Sequence, residues 1–135
     1  MDREILFRAK IDPDVYSYDK KSEWVYGYYT KYSCIFSGRS VIEQENDDYA
    51  VLDKTVCQYT GITDKNGTKI FENDILQVNY HGNEIGRVCI YYKYAMYLCD
   101  AIYGDVDFDT LGMLNANYQL EVIGNVYDNP ELIEK

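Results

Sequence analysis

No apolar run in the 135-residue chain approaches the roughly 18–20 residues that a membrane-spanning helix needs. Met1-Asp2-Arg3-Glu4 lacks the cationic start and apolar stretch of a secretory signal, so a soluble cytoplasmic protein without membrane contact is expected. Histidine occurs once, at His81, and there is no Cys-x-x-Cys pair. A zinc site or a Cys–His pair would therefore need partners assembled only by the fold. Neither Gly-x-x-x-x-Gly-Lys nor Gly-x-Gly-x-x-Gly occurs, which leaves nucleotide binding through a phosphate-cradling loop unsupported. Bases are scarce: 13 Lys and Arg face 23 Asp and Glu, for a net charge of −10 and a pI near 4.4. Residues 1–54 carry eight bases and eleven acids, residues 55–135 five and twelve. Such a field repels phosphate backbones and favours basic partners, so direct nucleic-acid binding is not expected.

What the chain does contain is apolar and aromatic. Hydrophobic residues make up 47%, enough for a core, and sixteen residues are Tyr, a strand-favouring side chain common where proteins meet. The four cysteines, Cys34, Cys57, Cys89 and Cys99, sit singly in strand-like apolar surroundings, which suits buried free thiols in a reducing compartment.

Ile5, Phe7, Ala9 and Ile11 alternate with Glu4, Arg8 and Lys10, as in a strand with one buried side. After Pro13 and the punctuation from Asp19 to Ser22, an aromatic strand is expected from Glu23 to Tyr32, bent at Gly27. Cys34-Ile35-Phe36 leads into a turn over Ser37-Gly38-Arg39-Ser40, and Glu43 to Asp48 packs four acids into six residues as an exposed loop. The segments 51–62 and 68–71 flank Asp64-Lys65-Asn66-Gly67, a tight hairpin because Asn and Gly both tolerate positive φ. His81-Gly82-Asn83 supplies the next turn, and the segment 94–102 pairs with the strand before it. Leu120, Val122 and Val126 mark a last strand. Helix is confined to a short stretch over Thr110 to Ala116 and a turn at Asn129-Pro130-Glu131, with Asn as cap. The expected fold is mainly β with minimal helix: an N-terminal β sub-domain over residues 1–60 and a small SH3-like β-barrel over residues 61–135.

Three blocks carry a family resemblance. Gln58-Tyr59-Thr60-Gly61-Ile62-Thr63-Asp64-Lys65-Asn66-Gly67-Thr68-Lys69-Ile70-Phe71-Glu72-Asn73-Asp74-Ile75-Leu76 resembles the "QYTGLKDKNGKEIYEGDIV" motif of the YopX family of phage and prophage proteins. Glu121-Val122-Ile123-Gly124-Asn125-Val126-Tyr127-Asp128-Asn129-Pro130-Glu131-Leu132 resembles its C-terminal "EVIGNIYENPEL", and Arg3-Glu4-Ile5-Leu6-Phe7-Arg8-Ala9 its opening "REIKFRAW". Lys10 stands where the family usually has Trp, and Asn73 where it usually has Gly. The resemblance implies a phage-encoded protein acting inside a bacterial host, and no established activity.

Candidate chemistry is sparse. Asp105, Asp107 and Asp109 could offer carboxylates to a hard cation, but counting from Asp105 the sixth residue is Thr110 rather than Gly and the twelfth Ala116 rather than Glu, so the run reads as an exposed acidic loop. His81 reads as a turn residue. Asp64, Asn66, Gly67 and Asp74 read as fold determinants, Asp and Asn folding their side chains onto nearby backbone N–H groups and Gly supplying the positive φ. No catalytic, cofactor or metal residue is assigned, and an enzyme is not expected. The tyrosines fall in two clusters, Tyr26, Tyr28, Tyr29 and Tyr32, then Tyr91, Tyr92, Tyr94 and Tyr97, too many for the inner faces of small sheets. With only Lys93 beside the second cluster, stacking on single strands is less economical than protein contact. A non-enzymatic, self-associating interaction module is therefore expected, a symmetric oligomer also covering open sheet edges. The alternative is an acidic mimic of nucleic acid that occupies a basic host DNA-binding or defence protein.

Overall fold

β-Branched and aromatic residues in period-two runs draw most of the chain into strands. The computed structural model describes residues 4–16, 23–31 and 39–134. It divides into two units, Met1–Tyr59 and Thr60–Lys135. The punctuation at Asp19–Ser22, Tyr32, Cys34-Ile35-Phe36 and the start of the Ser37–Ser40 turn lie outside the described residues.

In the first unit, β1 (Phe7–Lys10), β2 (Trp24–Thr30), β3 (Val41–Glu43), β4 (Asp48–Ala50) and the first residues of β5 (Cys57–Thr63) form a sheet of order β4-β3-β2-β1-β5. Ala9, Ile11, Val25, Ile42 and Val51 are buried together, with Phe7, Tyr16, Tyr29, Tyr49 and Val56 against them. Arg8, expected on the solvent face, is buried, because its guanidinium stacks 4.5 Å from the centroid of the Trp24 ring. Lys10, where the family usually has Trp, is paired with Trp24 and holds its ammonium 5.5 Å from the same ring. Gly27 is needed where β2 meets β3, since a Cβ there would run into the Glu43 carbonyl. The acidic stretch 43–48 is exposed for most of its length, as the turn of the β3–β4 hairpin, closed by the Gln44 N–H on the Asp47 carbonyl at 2.8 Å.

β5 runs on past Tyr59 and pairs there with β6 (Lys69–Phe71). The rest of the second unit is an antiparallel sheet of β7 (Asp74–Tyr80), β8 (Asn83–Lys93), β9 (Met96–Gly104) and β10 (Gln119–Asn125), in the order β10-β7-β8-β9. Its core holds Ile70, Leu76, Val78, Val88, Ile90, Cys99 and Leu120, closed by Leu111 and Leu114 of α1 (Leu111–Asn117). At seven residues α1 is too short to form alone, so burial of its two leucines, about 1.5–3 kcal/mol each, and the Thr110 cap on the Met113 N–H hold it. The last element is a 3₁₀ turn, Pro130–Ile133. Asn129 precedes it but makes no side-chain cap; its Oδ1 instead accepts from the Asn125 N–H at 3.2 Å.

The expected hairpin at Asn66-Gly67 is present in a different form. Gly67 alone takes positive φ, at 82°. The Asp64 N–H bonds the Thr68 carbonyl at 2.8 Å, so the loop has three residues with glycine in the left-handed place rather than a two-residue turn. The reason is Asp64: its Oδ1 accepts from the N–H groups of Asn66 (2.8 Å) and Thr68 (2.9 Å), which fixes the wider loop. The chain is mainly β, as its composition implies, and the second unit's sheet curls into half a barrel.

Candidate functional site

Asp64, Asp74 and Asn125 of the resemblance blocks are engaged by the backbone, whereas the Asn66 amide reaches the Glu121 carboxylate at 3.5 Å. Asp64 is 7% exposed and accepts three N–H groups, the third from Val122 onto Oδ2 at 2.9 Å. Asp74, also buried, accepts from the Phe71 N–H at 2.8 Å. Between them lies Asn73 at φ 68°, a left-handed position that explains glycine in the family and tolerates Asn. Asn125 accepts from the N–H groups of Tyr127 and Asp128 at 3.0 and 2.9 Å. Gly124 leaves room for Asn129, whose Oδ1 would lie 2.5 Å from a Cβ at that position. These side chains shape turns.

Asp105, Asp107 and Asp109 are exposed, alternating with half-buried Val106 and Phe108 that pack on the core. His81 stands at φ 50° beside Gly82 at φ 82°, in the two-residue turn from β7 to β8. The structure draws these features toward one aromatic cluster. The His81 ring lies 4.1 Å from Tyr80, Tyr80 lies 5.7 Å from Tyr118, and Tyr118 lies 5.9 Å from Phe108, between centroids. Partial burial, then the charge of Asp107 and a hydrogen bond to it, raise the Tyr118 hydroxyl above its ordinary pKa. Among the described residues, no three His, Cys, Asp or Glu side chains come together as metal ligands.

Among the described cysteines, Cys57, Cys89 and Cys99 are free thiols. Ile90 pairs with Cys99 and Cys89 with Asp100, so the two thiols point to opposite faces of the β8–β9 pair. Burial first, then nearby carboxylates, push Cys89 up to about 11 and Cys99 to about 12. Such thiols are poor nucleophiles at neutral pH. Cys34 lies outside the described residues.

The second tyrosine cluster has the most exposed geometry. β7 pairs with β8 only as far as Cys89, while β8 and β9 stay paired out to Lys93 and Met96. The residues 91–98 thus form a two-stranded ribbon beyond the end of β7. It carries Tyr92 at 54% exposure, Tyr94 at 74% and Met96 at 45%, with Tyr91 also exposed. The Tyr92 and Tyr97 rings pack at 5.1 Å, and the Lys93 ammonium lies 5.1 Å from the Tyr94 centroid. At the tip, Tyr94 (φ 55°) and Ala95 (φ 60°) both adopt the left-handed conformation that such a turn requires and that Asn or Gly takes more readily. In the first cluster Tyr26 and Tyr28 are exposed, whereas Tyr29 faces inward and shares Ser40 and Asp53. Ser40, Lys31 and Tyr29 together lower the pKa of Asp53. This Ser40–Asp53 bond, at 2.6 Å, and the buried Asp12 with Arg39 at 2.9 Å carry no local sequence signal.

No curated protein matches the sequence. The crystal structure of protein EF1440 from Enterococcus faecalis is similar over 98% of this chain and 100% of its own, with a TM-score of 0.56 and 23% identity, a likeness of fold. The description "YopX protein" matches residues 6–134, a span that takes in both turn-forming blocks, and on that extent the chain belongs to the YopX family.

Proposed function

We propose that the chain is a phage or prophage accessory protein of the bacterial cytoplasm that works by protein contact rather than catalysis, and that it associates with itself through the β8–β9 ribbon. The ribbon carries this reading. It exposes Tyr91, Tyr92, Tyr94 and Met96 on a part of the hairpin that contributes no side chain before Tyr97 to the core. Its tip also holds two non-glycine residues in a strained conformation, a feature that concentrates where surfaces function. On this reading the curled sheet is an SH3-like barrel serving as the ribbon's base.

Light-scattering mass in line with size exclusion tests it, at tens of micromolar, a range set near ordinary homo-oligomer affinities. A discrete oligomer in both low and high salt is expected, and Tyr92→Ser with Tyr94→Ser should reduce it to monomer. A strictly monomeric unaltered chain refutes self-association.

A second reading rests on Asp100, Asp105, Asp107 and Asp109, which are exposed and, among the described residues, in no ion pair. Exposed carboxylates of this kind would imitate a nucleic-acid backbone toward a basic host protein. The chain should then displace duplex DNA from such a protein at low ionic strength and lose the effect as salt rises; DNA retained at low salt counts against it.

A further inference from the structure

Two hydrogen bonds join the Asp64–Lys65 turn to the outer side of β10. The Lys65 N–H donates to the Leu120 carbonyl at 2.9 Å, and the Val122 N–H donates to Asp64 Oδ2 at 2.9 Å. A residue that donates to one position and accepts from the position two further on forms a rung of a parallel ladder. Here the rung is centred on Glu121, and a side-chain carboxylate replaces the main-chain carbonyl. The Glu121 side chain completes it, with Lys65 Nζ at 3.8 Å and Asn66 Nδ2 at 3.5 Å.

The other side of β10 is paired with β7, so the groups met by Asp64 and Lys65 are those an outermost strand would leave bare. β9, at the opposite edge, is covered comparably: its Cys99 N–H donates to the Asp109 carbonyl at 2.7 Å, and Leu98 bridges Thr110. Bare edges of this kind are templates for pairing with another chain. A covering rung in mid-strand leaves no stretch long enough for a full added strand.

We propose that the Asp64–Asn66 turn is an edge guard, standing in for a further strand against β10 and closing that edge to strand addition by a second copy of the chain. Asp64 is then the positioning residue of the guard. One oxygen shapes the hairpin and the other holds the edge. This role goes beyond the ribbon reading and stands or falls separately from it.

Asp64→Asn separates the two tasks. The amide keeps an oxygen for the N–H groups of Asn66 and Thr68 but turns an NH₂ toward the Val122 N–H, donor against donor. In the unaltered protein, amide hydrogen exchange should show Val122 protected like the β7 amides. In Asp64→Asn the Val122 amide should exchange about tenfold faster or more, with Asn66 and Thr68 still protected. The variant's mass should also rise with concentration beyond that of the unaltered chain. A fast-exchanging Val122 amide in the unaltered protein overturns the proposal and needs no variant. So does a folded Asp64→Asn with Val122 still protected, or one with a bare edge and no added association. If Asp64→Asn fails to fold, Glu121→Ala, which removes only the side-chain part of the rung, should raise Val122 exchange by a few-fold; unchanged exchange there also overturns it.

Discussion

The tip of the β8–β9 ribbon gives the sharpest prediction. Ala95 is exposed and sits at φ 60°, and a left-handed residue other than Gly costs roughly 1–2 kcal/mol. Gly removes that cost but adds about 0.4–1 kcal/mol of unfolded-chain entropy. Ala95→Gly should therefore stabilise the fold by about 0.5–1 kcal/mol, a rise in Tm of about 2–6 °C for a domain of this size. Adding Tyr94→Asn creates the Asn-Gly pair that such turns favour. It removes an exposed ring and a cation–π contact worth about 0.5–1 kcal/mol, so the double variant should stay at least as stable as the natural chain. Its self-association should fall, however, because the most exposed aromatic side chain of the ribbon is gone. Urea unfolding at dilution below the association range measures the first effect as a shift in midpoint at constant slope, and light-scattering mass measures the second. An Ala95→Gly chain of unchanged or lower stability would refute the strain argument, and a double variant that associates normally would refute the use made of it.

Alkaline titration should expose the buried thiols. Cys89 and Cys99 are raised to about 11 and about 12 in the folded chain, so their contribution to stability is complete below the ordinary thiol pKa near 9 and is lost as pH rises toward 11–12. Urea midpoints should fall over that window, and less so in Cys89→Ala. Gly124→Ala should destabilise by about 1–3 kcal/mol, because the new Cβ would meet Asn129 Oδ1 at 2.5 Å and displace the bond to the Asn125 N–H; a thermal melt checks this. Asp107→Asn should bring the Tyr118 ionisation down toward its ordinary value, read by near-ultraviolet absorbance against pH, since it removes a charge and alters a hydrogen bond that favour the neutral phenol.

Much of this protein is local in origin. Alternation placed Ala9 and Ile11 in a core, because period two in sequence is period two in a strand. The short helix lies where expected, with Thr110 as its cap rather than its first residue, and Gly67 marked a hairpin, because caps and turns depend on a few adjacent residues. Other features depend on residues far apart in the chain. The burial of Arg8 needs Trp24 beneath it, and the third donor to the Asp64 carboxylate comes from Val122. Composition showed that the tyrosines outnumber the inward positions, but only the pairing of β7 with β8 and of β8 with β9 decided which lie bare. A strand's register is long-range information, and the sequence by itself determined the mainly β class, several of the strands and turns and the family, while the tertiary structure decided which edges and which aromatic rings remain open to a partner.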